Sequence, residues 1–231
     1  MCGRYTLISP LDDLLDVFGV PEVHFEYRPR YNIAPSQDAP VLAEDQDGRR
    51  IGLLRWGLIP SWADDPAIGS RMINARRETA SEKPSFRAAF GCRRCIVLAD
   101  GFFEWSRPGL TGRHTKGDGK KVPYWIHLPT QKPFGMAGLW EKWSPPEGDP
   151  IYTFTILTTE ANDDLRSIHH RMPAILPPDE YRDWLSLDTS PSHLQEMMAP
   201  FSVGVLDARQ VSTLVNSPRN DVPECIEPAV G

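Results

Sequence analysis

The sequence predicts an α+β fold, with many short strands forming a strongly curved or closed sheet and a few short helices beside it. Three observations carry that prediction. There are 23 prolines and 17 glycines in 231 residues, which punctuates the chain too often for long helices. Runs such as Cys95-Ile96-Val97-Leu98-Ala99 and the alternating, β-branched stretch 151–159 are strand-like. Segments with helix start signals are few and short.

Residues 2–8 read as a short strand. Ser9-Pro10 then supplies an N-cap and a first helical position, with Asp12 and Asp13 in the first turn. Leu11, Leu14, Leu15 and Phe18 form the apolar stripe of that helix, and Gly19 ends it. Residues 21–40 hold Pro21, Pro29, Pro35 and Pro40 and read as extended irregular chain. Residues 41–43 and 49–58 read as strands joined by the turn Asp45-Gln46-Asp47-Gly48. A helix is expected at about 84–90, a buried strand at 95–99, and a turn at Asp100-Gly101 leading into another strand. The glycine-rich, basic stretch 107–121 reads as an exposed loop insertion. Strands follow at 122–128, 134–140 and 151–159. Helices are expected at 160–168, 178–185 and 190–198. Residues 1–220 read as a single domain, and 221–231 as a loose tail.

The net charge is −6, from 25 basic and 31 acidic residues, so a non-specific nucleic-acid coat is excluded. A polyanion must instead meet a local patch. Residues 71–95 offer one: Arg71, Arg76, Arg77, Lys83, Arg87, Arg93 and Arg94 face only Glu78 and Glu82, a balance of +5. Cysteines at 2, 92, 95 and 225 make a poor disulfide framework. No apolar run approaches ~18 residues, and no signal peptide is evident. A cytoplasmic or nucleoid-associated protein with reduced thiols is expected.

Cys2 follows the initiator methionine, and its small side chain suits removal of Met1 by an aminopeptidase. It would then carry an α-amine with a pKa near ~7.7–8.0 beside a thiol near ~8.5. Such a 1,2-aminothiol condenses with an aldehyde to an imine, which the thiol closes to a thiazolidine. The alternative is a small buried residue opening a strand. Glu104 lies among aromatics in Gly101-Phe102-Phe103-Glu104-Trp105, where a partly desolvated carboxyl suits a general acid or base. It would equally serve as a strand residue facing solvent. His169, in His169-His170-Arg171-Met172-Pro173, is either a loop imidazole with a function or a structural histidine. Asn74 is either an orienting amide or a helix N-cap. The adjacent Arg76 and Arg77 would hold phosphates or form a solvated helix face. Cys92-Arg93-Arg94-Cys95 lacks a second ligand pair, so no metal is expected. No phosphate loop or nucleophile elbow is present, and no cofactor is expected.

Six stretches in this order resemble the SRAP family, named for the SOS response and for a proposed peptidase activity. They are Met1-Cys2-Gly3-Arg4, Tyr31-Asn32-Ile33-Ala34-Pro35, Arg55-Trp56-Gly57-Leu58-Ile59-Pro60, Asn74-Ala75-Arg76 with Glu78-Thr79, Arg94-Cys95 leading to Gly101-Phe102-Phe103-Glu104-Trp105, and His169-x-Arg171-Met172-Pro173. The resemblance implies a barrel-like, mostly antiparallel β core flanked by short helices. It also implies covalent capture of abasic sites in single-stranded DNA through the N-terminal cysteine, by a monomer with no membrane partner. Catalytic roles carry over to Cys2, Asn74, Glu104 and His169. DNA contacts carry over to Arg4, Asn32, Pro35, Trp62, Arg76, Thr158 and Arg171. The chain departs from the pattern at Ala63, where some relatives have a second aromatic. Two other readings stay open: a cysteine peptidase using Cys2 and His169, and a non-catalytic single-strand-binding module.

Overall fold

Alternating apolar residues and frequent turns build thirteen strands among the residues described by this computed structural model, which are 2–45, 48–106 and 121–229. The strands are β1 (Arg4–Leu7), β2 (Arg30–Ile33), β3 (Asp38–Asp45), β4 (Gly48–Trp56), β5 (Asn74–Arg76), β6 (Arg94–Ala99) and β7 (Gly101–Ser106). They continue as β8 (Val122–His127), β9 (Phe134–Trp143), β10 (Ile151–Glu160), β11 (Arg171–Pro173), β12 (Ile175–Leu176) and β13 (Asp207–Gln210). The helices are short: α1 (Leu11–Phe18), α2 (Arg77–Ala80), α3 (Arg87–Cys92), α4 (Tyr181–Leu185) and α5 (Pro191–Met197).

One sheet runs β13-β8-β7-β1-β2 and is antiparallel throughout. The other runs β11-β10-β4-β3-β6-β9-β12, with β5 on β10. Strand β9 also pairs with β10, which closes β10-β4-β3-β6-β9 into a ring. The pairings of β10 with β4 and with β5 are parallel. The α+β expectation therefore holds, with a sheet that closes on itself. Trp56 stacks on Phe154 and meets Tyr5 edge-on in the core. Phe18 of α1 stacks on Tyr181 of α4, joining the two helices over the core. Burying each such aromatic stabilises the fold by roughly 1.5–3 kcal/mol.

Several expectations change. Pro10, not Ser9, precedes α1 as its cap, and no side chain caps that helix. The Ser9 hydroxyl instead donates to buried Asp100, whose carboxylate also accepts from the Ile8 and Ser9 amides. Gly19 ends α1 as expected, in the left-handed conformation at φ 64°. Residues 30–33 form a strand inside the stretch read as irregular. Residues 163–168 form turns rather than a helix. Asn162 Oδ1 accepts from the Leu165 amide while its Nδ2 donates to Phe201 and Ser202, so the side chain competes with helical pairing. The third helix begins at Arg87, later than expected. Residues 221–229, expected to be loose, make specific contacts: Asp221 accepts from the Tyr31 and Asn32 amides, and Cys225 is buried. The expected insertion lies outside the described residues apart from position 121. Among the described residues, no helix is long and apolar enough to cross a membrane.

Candidate functional site

Cys2 sits just ahead of β1 and is fully buried. Strand β1 pairs with β7 through Arg4 opposite Phe103, which brings the start of the chain alongside Glu104. Burial pushes the Cys2 thiol far up, and the charge of Glu104 adds to the rise. The Cys2 carbonyl accepts from Asn74 Nδ2 at 2.7 Å. Asn74 is therefore not a helix cap. It opens β5, which is held in parallel register against Ile156 of β10.

Glu104 is 4 % exposed, and burial raises its carboxyl above the ordinary range. Its Oε1 lies 3.7 Å from His169 Nδ1. His169 follows the turns at 163–168, and its amide donates to the Leu165 carbonyl at 2.9 Å. The Arg171 amide donates to His169 Nδ1 at 3.1 Å, fixing the ring. A desolvated carboxyl and an oriented imidazole thus share one small volume next to Cys2. That pairing can take up and return protons.

Around this centre the expected binding residues divide into two groups. Arg76 is exposed, Arg77 begins α2, and Trp62 is 58 % exposed. Trp56, at 1 %, belongs to the core. Gly57 and Gly69 approach so closely that a Cβ on either would lie 2.7 Å from a carbonyl of the other, and this contact shapes the loop bearing Trp62. Pro35 lies half-buried in the turn after β2. The other residues spend their donors on the protein. Arg171 grips Glu78 at 2.7 and 3.0 Å and also donates to the Thr158 carbonyl. Thr158 Oγ1 donates to Ala75 at 3.3 Å. Arg4 donates to Val215 at 2.6 Å and to Asn32 Oδ1 at 3.2 Å. Buried Asn32 directs its Nδ2 to the carbonyls of Val215, Ser217 and Asn220.

The basic stretch 71–95 is also divided. Arg93 pairs with Glu141 at 2.7 Å, and Arg94 is buried among backbone carbonyls. Arg71, Arg76, Lys83 and Arg87 stay exposed. A cleft of about 400 Å³ opens between Arg76, Glu160, Arg166, His170 and Arg171. Glu78 stood in a motif without a role, and sequence reasoning missed Arg166 and the 213–221 segment. Cys92 is exposed and Cys95 buried, and among the described residues no group of His, Cys, Asp and Glu converges as metal ligands.

Comparison with known proteins adds to this geometry. The family described as "SOS response associated peptidase (SRAP)" matches residues 1–218. The chain is 47 % identical over 231 residues to the "Abasic site processing protein YoqW" of Bacillus subtilis (strain 168), covering 98 % of this chain and 99 % of that one. It is 37 % identical over 234 residues to the "Abasic site processing protein HMCES" of Gallus gallus, covering 87 % of this chain and 67 % of that one. Among solved structures, a protein from Bacteroides thetaiotaomicron superposes with a TM-score of 0.84 at 27 % identity, covering 99 % of this chain and all of that one.

Proposed function

Since the chain belongs to the SRAP family, we propose that it processes abasic sites in single-stranded DNA, capturing them covalently through Cys2 once Met1 is removed. The observation that carries this reading is the convergence on Cys2. Its carbonyl is held by Asn74 at 2.7 Å, and buried Glu104 lies 3.7 Å from His169. The curated relatives named above as abasic site processing proteins support the substrate class.

The chemistry runs as follows. An abasic deoxyribose is mostly a closed hemiacetal, and a proton delivered to the ring oxygen by His169, as the C1′ hydroxyl gives up its own, opens it to the C1′ aldehyde. The neutral Cys2 amine attacks C1′ and forms a carbinolamine. Protonation of its hydroxyl by Glu104 expels one water, and return of a nitrogen proton to the Glu104 carboxylate leaves the imine. The Cys2 sulfur then adds to the imine carbon as the nitrogen regains a proton, closing the thiazolidine. Each turnover forms one C–N and one C–S bond and releases one water. Asn74 holds the Cys2 backbone so that amine and thiol reach the same carbon. Arg76 and Arg77 hold phosphates, and Trp62 stacks on an unpaired base. Without the thiol, the imine loses its 3′-phosphate by β-elimination, which is lyase chemistry.

Intact mass measurement of the protein mixed with an abasic single strand tests this. The expected product has lost Met1 and gained the strand minus one water. Cys2→Ala is expected to nick the strand yet form no stable adduct, and a stable adduct from that variant refutes the thiazolidine. The peptidase named in the family description would instead cleave peptides and leave the abasic strand unmodified.

A further inference from the structure

The proposed reaction requires Cys2 to stay aligned with Glu104, yet the β1–β7 ladder begins only at Arg4. Cys2 and Gly3 lie beyond it. Asn74 holds the Cys2 carbonyl from one side. On the other side, the 3₁₀ turn Thr213–Asn216 reaches both strands at once. Arg4 of β1, two residues from Cys2, donates to the carbonyl of Val215 at 2.6 Å and to that of Asn216 at 3.4 Å. Trp105 of β7, adjacent to Glu104, donates from its indole nitrogen to Asn216 Oδ1 at 2.7 Å. The Val215 side chain is buried in a small cluster with Phe103 and Trp125, which anchors the turn. Farther along, Asp221 caps the Tyr31 and Asn32 amides of edge strand β2, so the segment is moored at a second point.

We infer that Asn216 is a positioning residue for the proposed reaction: it clasps Arg4 to Trp105 and so keeps Cys2 aligned with Glu104. The inference rests on the function proposed above. It assigns Asn216 no contact with the reacting atoms. Small misalignments of reacting groups carry large rate penalties, so loss of the clasp acts on the rate and leaves strand affinity alone.

The test uses the full chain and three substitutions. Asn216→Ala removes the side-chain acceptor, Asn216→Asp keeps it, and Trp105→Phe removes the donor. Two readouts are taken. The first is alkylation of Cys2 by iodoacetamide, mapped by mass, with exposed Cys92 as internal standard. The second is the single-turnover adduct rate at saturating abasic strand, beside affinity for a strand carrying the unreactive tetrahydrofuran analogue. Asn216→Ala and Trp105→Phe are each expected to speed Cys2 alkylation and to slow adduct formation about tenfold. Affinity stays within about twofold, and the double variant is no worse than either single one because both break one contact. Asn216→Asp behaves as the parent protein. Wild-type Cys2 protection and adduct rate in both Asn216→Ala and Trp105→Phe would overturn the inference, as would Asn216→Asp failing like Asn216→Ala. A parent protein that forms no adduct counts against the proposed reaction, while the alkylation rates still decide the clasp.

Discussion

Replacing Arg94 by methionine tests how far this fold depends on one buried cation. The Arg94 guanidinium donates to four carbonyls: Phe90 at 2.7 Å, Gly91 at 3.1 Å, Trp184 at 2.7 Å and Ser186 at 2.5 Å. The first two end α3 and the last two end α4, so two sets of orphan helix carbonyls converge on one side chain. Hydrogen bonds from a charged donor contribute roughly 1.5–3 kcal/mol each, a gross sum near ~6–12 kcal/mol for the four. Desolvating the ion offsets several kcal/mol of that, and burial accordingly lowers the Arg94 pKa. Methionine fills most of the stem volume, which keeps the cavity contribution small. The expected loss is about 4 kcal/mol, a large share of the ~5–15 kcal/mol that holds a typical domain together. Arg94→Lys keeps the charge but cannot span four carbonyls, so it loses about half as much. Urea unfolding followed by tryptophan fluorescence measures both. A loss under about 1 kcal/mol for Arg94→Met would refute the assignment of these carbonyls to Arg94.

Three further outcomes are expected. Glu104→Gln slows adduct formation by ~10²–10⁴. Burial holds the folded Glu104 carboxyl above its unfolded value near ~4.3, so parental stability falls as pH rises through that window. The Gln variant is therefore the more stable at pH ~7.5 and equal near pH ~4 in urea melts, and lower stability at pH ~7.5 contradicts the desolvation account. Glu78→Gln acts in the opposite sense. Burial alone would raise the Glu78 carboxyl, but its two bonds from Arg171 hold it lower, so this stability is present above ~4.3 and lost as pH falls through the folded pKa. The half-exposed carboxylate limits the loss at neutral pH to about 1 kcal/mol, and the two proteins converge in acid; a constant gap at all pH values excludes the ion pair as its cause. Trp62→Ala weakens binding of an unreactive single strand by ~1–3 kcal/mol, roughly 5- to 150-fold, without lowering the melting temperature. Unchanged affinity in an anisotropy titration removes Trp62 from the interface.

The long strands were legible because their side chains carry a local signal. Residues 95–99 and 151–159 are β-branched and apolar whatever they pair with. The short strands β2, β5, β11, β12 and β13, of two to four residues, were not. Each exists because a neighbouring strand offers it hydrogen bonds, and no run of four residues encodes that offer. The proposed reactive residues Cys2, Asn74, Glu104 and His169 lie far apart in sequence, and only the family motifs pointed to them together. Charge was the least legible property. Arg93 and Arg94 count toward a basic patch in the sequence, but β6 turns one inward and Glu141 pairs with the other. The polar, proline-dotted composition of 216–229 concealed specific contacts, because Asn216 and Asp221 act through partners that lie far away in sequence.

The buried position of Cys2 has a consequence for timing. Cys2 is enclosed by elements far along the chain: its carbonyl accepts from Asn74, and Glu104 stands beside it. At ~5–20 residues per second, the 167 residues that follow Cys2 up to His169 take roughly 8–35 s to synthesise. Through most of that interval the amino terminus has no finished fold around it. Under the proposed reaction, trimming of Met1 is expected on the growing chain, and conditions that let folding outrun the aminopeptidase are expected to leave a folded protein that forms no adduct.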